Sequence, residues 1–118
     1  MVRLKAICWE EMVKHCREEY PNEACGILAG AEGEVRSLYS MTNLERSPYG
    51  YSMAPEEQFR VVREARGRGE RLMGTYHSHT HSDPYPSERD IKEAYDRSLI
   101  YFILSLRDYH SPCLKAFR

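Results

Sequence analysis

Long apolar stretches are missing from this chain of 118 residues: the longest, residues 99–104, is far shorter than the roughly 20 residues a membrane-spanning helix requires. A surplus of charge is missing too. Seventeen basic residues stand against eighteen acidic ones, so the electrostatic attraction behind non-specific nucleic-acid binding is lacking. Neither nucleic acid nor a membrane is expected as a partner. Residues 1–8 carry no apolar segment of the kind a secretory signal needs, and the expected location is cytoplasmic. Cysteine is sparse and scattered. Cys8, Cys16, Cys25 and Cys113 include no C-x-x-C pair, which argues against a structural zinc clip and against a disulfide framework. They read as small buried hydrophobes.

Hydrophobic residues make up 42% of the chain, enough for one core but leaving little room for a second, so residues 1–118 are expected to form a single domain. Residues 2–7 suit a first strand. Trp9, Met12, Val13, Cys16 and Tyr20 then recur at helical spacing, Glu10 and Glu11 suit a first helical turn, and Pro21 ends the segment. Residues 24–29 read as a buried strand, joined through a turn at Gly30–Gly33 to a second strand reaching about Thr42. Pro55 fits the first position of a helix, although Ala54 is a poor N-cap. Phe59, Val62 and Ala65 give that helix an apolar side, and Gly67 and Gly69 stop it. The alternating charges of residues 63–70 read as its solvated face. A strand over 71–77, a helix over 87–97 with Ile91, Ala94 and Tyr95 inward, a central strand over 99–106 and a last strand over 113–117 complete the expected order. Helices interspersed with strands, one pair of them a hairpin, predict a mixed sheet packed by helices.

The chemistry is concentrated in residues 77–90, His-Ser-His-Thr-His-Ser-Asp-Pro-Tyr-Pro-Ser-Glu-Arg-Asp. On a strand, His77 and His79 project from the same face and can grip one ion. Asp90 offers an anionic third ligand. Three protein ligands leave a tetrahedral ion one open position for water, the feature that separates catalytic zinc sites from structural ones. His81 extends the spacing, but Ser82-Asp83-Pro84 signals a turn that swings it off the strand, so it is expected to be an exposed loop residue. His15 and His110 have no partner at ligand spacing and read as surface or structural histidines.

His77-x-His79, seven residues, Ser87, two residues, Asp90 resembles the signature of the JAMM (MPN+) zinc metallopeptidases. An upstream segment, Pro21-Asn-Glu23-Ala-Cys-Gly-Ile-Leu-Ala-Gly30, resembles that family's glutamate-bearing strand, and Asn43, the Ser47-Pro48 turn and the helix opening at Pro55 are similar to its short bacterial members. The resemblance implies a three-layer α/β fold similar to cytidine deaminases. It also implies one zinc ion per chain on His77, His79 and Asp90, with Glu23 as general base and Ser87 as oxyanion stabiliser. The implied reaction is hydrolysis after the C-terminal diglycine of a ubiquitin-like or sulfur carrier protein.

Simpler readings compete at several of these positions. Ser87-x-x-Asp90 is close to a helix capping box; since Asp90 cannot easily be both cap and ligand, the ligand reading is favoured. Glu23 by itself would pass for a surface carboxylate. Cys25 lies beside it, but an apolar strand lacks the electropositive setting that activates a thiol. Two other functions are compatible with parts of the pattern. A noncatalytic MPN scaffold would have lost metal ligands that are retained here. His77-Ser-His-Thr-His-Ser-Asp83 also resembles the opening of PHP-type metal phosphoesterases with one residue missing, but those enzymes draw ligands from a barrel of typically about 200 residues or more, and 41 residues follow His77.

Overall fold

A computed structural model describes residues 2–118. Six strands form one mixed sheet in the order β1-β3-β2-β4-β5-β6, where β1 is Arg3–Leu4, β2 Cys25–Ala31, β3 Glu34–Met41, β4 Arg71–His79, β5 Ile100–Ser105 and β6 Cys113–Phe117. Helix α1 spans Ala6–Glu19, α2 Pro55–Gly67 and α3 Glu88–Glu93. No described helix is long and apolar enough to cross a membrane.

The β2-β3 hairpin turns at Glu32 and Gly33, both at positive φ (54° and 75°). Strand alternation then sorts the core into two clusters. Ala24 and Leu28 share one cluster with Cys8, Met12 and Cys16 of α1, Tyr76 of β4 and Phe102 and Leu104 of β5. Cys25 and Ile27 belong to the other, with Val61 of α2. Helices thus cover both sheet faces in three layers, as expected. The β2-β4 ladder carries a bulge, since Leu28 pairs with Gly74 but Ala29 with Leu72. One extra residue reverses the alternation, so Leu72 and Tyr76, four apart on one strand, join opposite clusters. Downstream of the bulge, Tyr76 and Ser78 point toward α1, and His77 and His79 toward the opposite face.

Several local expectations are corrected. The first strand is two residues rather than the span 2–7, because α1 already starts at Ala6; Glu10 and Glu11 therefore fall beyond its first turn. In α2 the inward residues are Val61 and Ala65, while Phe59 is 73% exposed. Helix α3 stops at Glu93 instead of Arg97, and Ile91 and Tyr95 are exposed. An apolar residue at helical spacing does not itself guarantee a partner surface. Cys8, Cys16 and Cys25 are buried, but Cys113, on edge strand β6, is exposed.

Gly26 lies opposite Tyr76, and a Cβ there would collide with the phenol ring. Tyr76 is fully buried and its hydroxyl is hydrogen-bonded to the His15 ring at 2.7 Å. Gly26→Ala is therefore expected to destabilise the fold by about 1–3 kcal/mol, the usual cost of overpacking. Urea denaturation checks this; an unchanged midpoint would show that Tyr76 has room to move.

Candidate metal centre

Strand β4 ends in the sequence that carries two of the candidate ligands. His77 and His79 are 3% and 5% exposed, and their Nε2 atoms are 3.2 Å apart. Asp90, from the first turn of α3, brings Oδ2 to 3.2 Å from His77 Nε2 and 3.0 Å from His79 Nε2. Among the described residues, these three form the cluster able to hold a metal ion, with ligand atoms all within 4.8 Å of one another. Two imidazoles and one carboxylate suit a borderline divalent ion and leave room for a further ligand. The donor set therefore fits a metal.

The surroundings orient each of these side chains. His79 Nδ1 donates to the Asp83 carbonyl at 2.9 Å; in the neutral ring this leaves Nε2 as the lone-pair nitrogen facing the cluster, whereas in the protonated ring Nε2–H donates to Asp90. Burial pushes the His79 pKa down, but the Asp90 carboxylate and the Asp83 carbonyl outweigh it, and the net shift is upward. Burial likewise pushes Asp90 up, but hydrogen bonds from His77 and His79 win and hold its carboxyl well below the usual range. Tyr51 stacks on His77 with ring centroids 4.7 Å apart.

Asp90 also completes a capping box. Ser87 Oγ accepts from Asp90 N at 3.1 Å, and Asp90 Oδ2 accepts from Ser87 N at 2.9 Å. The expectation that capping and the ligand position exclude each other is thus corrected in its geometry: the same carboxylate caps α3 and faces His77 and His79, because the first turn of α3 is aimed at the end of β4. The helix N-terminus in turn stabilises the anion.

Glu23 is 5% exposed, and its Oε1 has no hydrogen-bond partner. It precedes β2, and two contacts tie this segment to the histidine strand: Ser78 Oγ accepts from Ala24 N at 2.8 Å, and Ser78 N donates to the Ala24 carbonyl at 3.0 Å. Burial pushes the Glu23 pKa up to about 8; His79 opposes the rise and Asp90 adds to it. A cation in the triad opposes it further. An unpaired buried carboxylate beside such a cluster is available to exchange a proton. Cys25 is fully buried, and burial pushes its thiol up to about 12, as the apolar strand predicts.

His81 stays out of the cluster. It is exposed, with its ring against Thr80 and Tyr20. His15 is engaged by Tyr76 and His110 is exposed. The loop between β3 and α2 supplies contacts that the sequence did not announce. Asn43 Nδ2 donates to the carbonyls of Glu23 and Gly50 at 2.9 and 3.0 Å, bracing the Glu23 segment against the loop that carries Tyr51. Arg89 pairs with Glu93 on its own helix and reaches Glu45 and the Tyr51 carbonyl across the loop. Its i,i+4 pair was legible. The Glu45 partner, 44 residues away, had no signal.

A mixed sheet with helices on both faces and a buried His-x-His and Asp cluster on one of them defines an α/β metal-binding protein. The family model for prokaryotic homologs of the JAB domain matches residues 5–117, and the chain belongs to the short prokaryotic JAMM/MPN family. It is 42% identical over 109 residues to the CysO-cysteine peptidase of Mycobacterium tuberculosis, covering 91% of this chain and 75% of the relative. It is 32% identical over 109 residues to a desampylase of Haloferax volcanii, covering 86% and 78%. Among solved structures, protein DSY2949 of Desulfitobacterium hafniense superposes with a TM-score of 0.90 at 40% identity, covering 99% of this chain and 83% of that one.

Proposed function

We propose that this chain is, within a single domain spanning residues 1–118, a zinc metallopeptidase that hydrolyses the peptide or isopeptide bond following the C-terminal diglycine of a ubiquitin-like or sulfur carrier protein. The observation that carries this reading is the convergence of His77, His79 and Asp90 within 4.8 Å next to a buried glutamate with an unpaired oxygen. The names of the relatives, a CysO-cysteine peptidase and a desampylase, support the substrate class.

In this reading His77, His79 and Asp90 hold the ion. Zinc so bound supplies a water of lowered pKa and a Lewis acid for the carbonyl. Glu23 is the general base. Its free Oε1 accepts a proton from the attacking water and afterwards delivers it to the departing amine. Ser87 is the exposed N-cap of α3, and its Oγ already accepts from Asp90 N. The hydroxyl hydrogen is thereby left to donate to the oxyanion. Asp83, through its carbonyl, keeps His79 in the required tautomer.

A folded carrier can present a carbonyl at the bottom of this site only on a slender, extended tail, and diglycine has no side chains to clash. A diglycine carrier with a short C-terminal extension is expected to be cut after its final glycine. A variant carrier ending in valine at that position should be cut at least about tenfold more slowly, because branched side chains crowd the path. Mass spectrometry of timed reactions gives both rates. Equal cutting of the two carriers, or efficient cutting of random unstructured peptides, would reject the carrier-tail reading.

A further inference from the structure

The sheet face that carries His77 continues outward into a trough. Ile103 on β5 pairs with His77 on β4, and Tyr101 on β5 pairs with Phe117 on β6. Strand alternation puts these side chains on one face. With α3 and the segment after it, they enclose a cavity of about 520 Å³ that reaches from His77 and Asp90 to Arg97. That size falls in the range of small-molecule sites, about 300–1,000 Å³.

The charges lining this cavity are unevenly satisfied. Of its carboxylates, Asp90 is held by the two histidines and Glu93 accepts from Arg89 Nε at 2.8 Å. Its two guanidiniums, those of Arg97 and Arg118, make no ion pair or side-chain hydrogen bond among the described residues. The cavity is therefore apolar along its floor, adjoins the metal ligands at one end, and carries positive charge without a partner. An occupant matching it has a nitrogen at the metal end, a modest apolar body, and an anion.

We propose that this cavity receives the leaving group of the reaction, a single amino acid or very short peptide with a free α-carboxylate, and that Arg97 is the residue that recognises that carboxylate. The inference rests on the hydrolase reading above and deepens it by naming the cavity and the residue that select the leaving group. Water adds its oxygen to the glycyl carbonyl carbon, the C–N bond breaks, and the proton carried by Glu23 goes to the amine, which departs from the cavity. No co-reactant besides water is needed. A lysine of a folded protein, linked through its side-chain nitrogen, brings no terminal carboxylate to Arg97. A guanidinium–carboxylate pair in a partly enclosed site is a strong and directional contact.

The test uses the zinc-loaded enzyme and three semisynthetic substrates: a diglycine carrier extended by one alanine as the free acid, the same carrier as the C-terminal amide, and the carrier joined to a lysine side chain of a folded protein. Wild-type enzyme is expected to cleave the acid at least about tenfold faster in kcat/KM than the amide or the lysine conjugate. Arg97→Gln should bring the acid-to-amide ratio close to one, and Arg97→Lys should restore part of it. Arg97 is exposed in the loop after α3, so neither change disturbs the core. Equal cleavage of acid and amide by wild type, preference for the lysine conjugate, or an unchanged ratio in Arg97→Gln would overturn the subsite and leave the hydrolase reading standing. Failure to cleave any of the three would overturn both.

Discussion

His77→Ala and Asp90→Ala are each expected to lose bound zinc, with affinity falling by more than about a hundredfold, beyond what removing an outer hydrogen-bond partner of a ligand costs. Two remaining ligands cannot complete the shell. Elemental analysis and competitive metal titration check this, and retention of about one zinc per chain in both variants would sink the ligand assignment. Asp90 carries a second consequence, because its Oδ2 also caps α3 by accepting from Ser87 N. Asp90→Ala should therefore cost about 1 kcal/mol of stability in the metal-free protein. Asp90→Asn keeps an acceptor for the cap but not the anionic ligand. It should lose the metal while retaining most of that stability, which separates the two roles of one carboxylate.

Glu23→Gln should keep the metal and the fold while hydrolysis drops by roughly 10²–10⁴-fold, the range attributed to general acid–base catalysis. The carboxamide can hydrogen-bond to water but cannot take its proton at neutral pH. Near wild-type turnover would remove Glu23 from the reaction and direct attention to Asp83 and Glu88. Stability gives an independent readout. The Glu23 pKa is raised by burial from 4.5 to about 8, so the fold favours the neutral form. In the metal-free protein, its stabilising contribution is fully present below about pH 4.5 and is lost as pH rises through about 8. Wild type should thus lose stability relative to Glu23→Gln over that window. Parallel stability profiles for the two proteins would show that Glu23 titrates normally.

The order of helices and strands was largely readable because β2 and β5 are apolar runs and Pro21, Pro55 and Gly69 punctuate the chain. Periodicity does not by itself imply burial. Phe59, Ile91 and Tyr95 sit at helical spacing but are 73%, 66% and 84% exposed, and Ile91 borders the cavity beside the metal triad rather than the core. Tyr51 and Arg89 carry no sequence signal for their cross-loop contacts, for a related reason. Each acts across a loop, Tyr51 by stacking on His77 and Arg89 by bridging Glu45 to α3, and nothing local in the chain marks such contacts.

By itself the sequence determined which atoms can bind a metal. The two-residue spacing of His77 and His79 on a strand is a local geometric fact, and the ligand chemistry of imidazole and carboxylate belongs to the residue types. It also determined the helix start at Ser87, whose capping pattern is local. Tertiary structure decided the rest. The β2-β4 bulge sets which face receives the histidines, since one extra residue reverses every side chain beyond it. Packing of the segment before β2 against Ser78 buries Glu23 and turns an ordinary carboxylate into one with a raised pKa, because desolvation depends on what surrounds a group and not on its neighbours in sequence. The aim of α3 lets Asp90 cap the helix and face His77 and His79 together, and the pairing of β4, β5 and β6 creates a cavity whose lining residues lie as far apart as Tyr51 and Arg118.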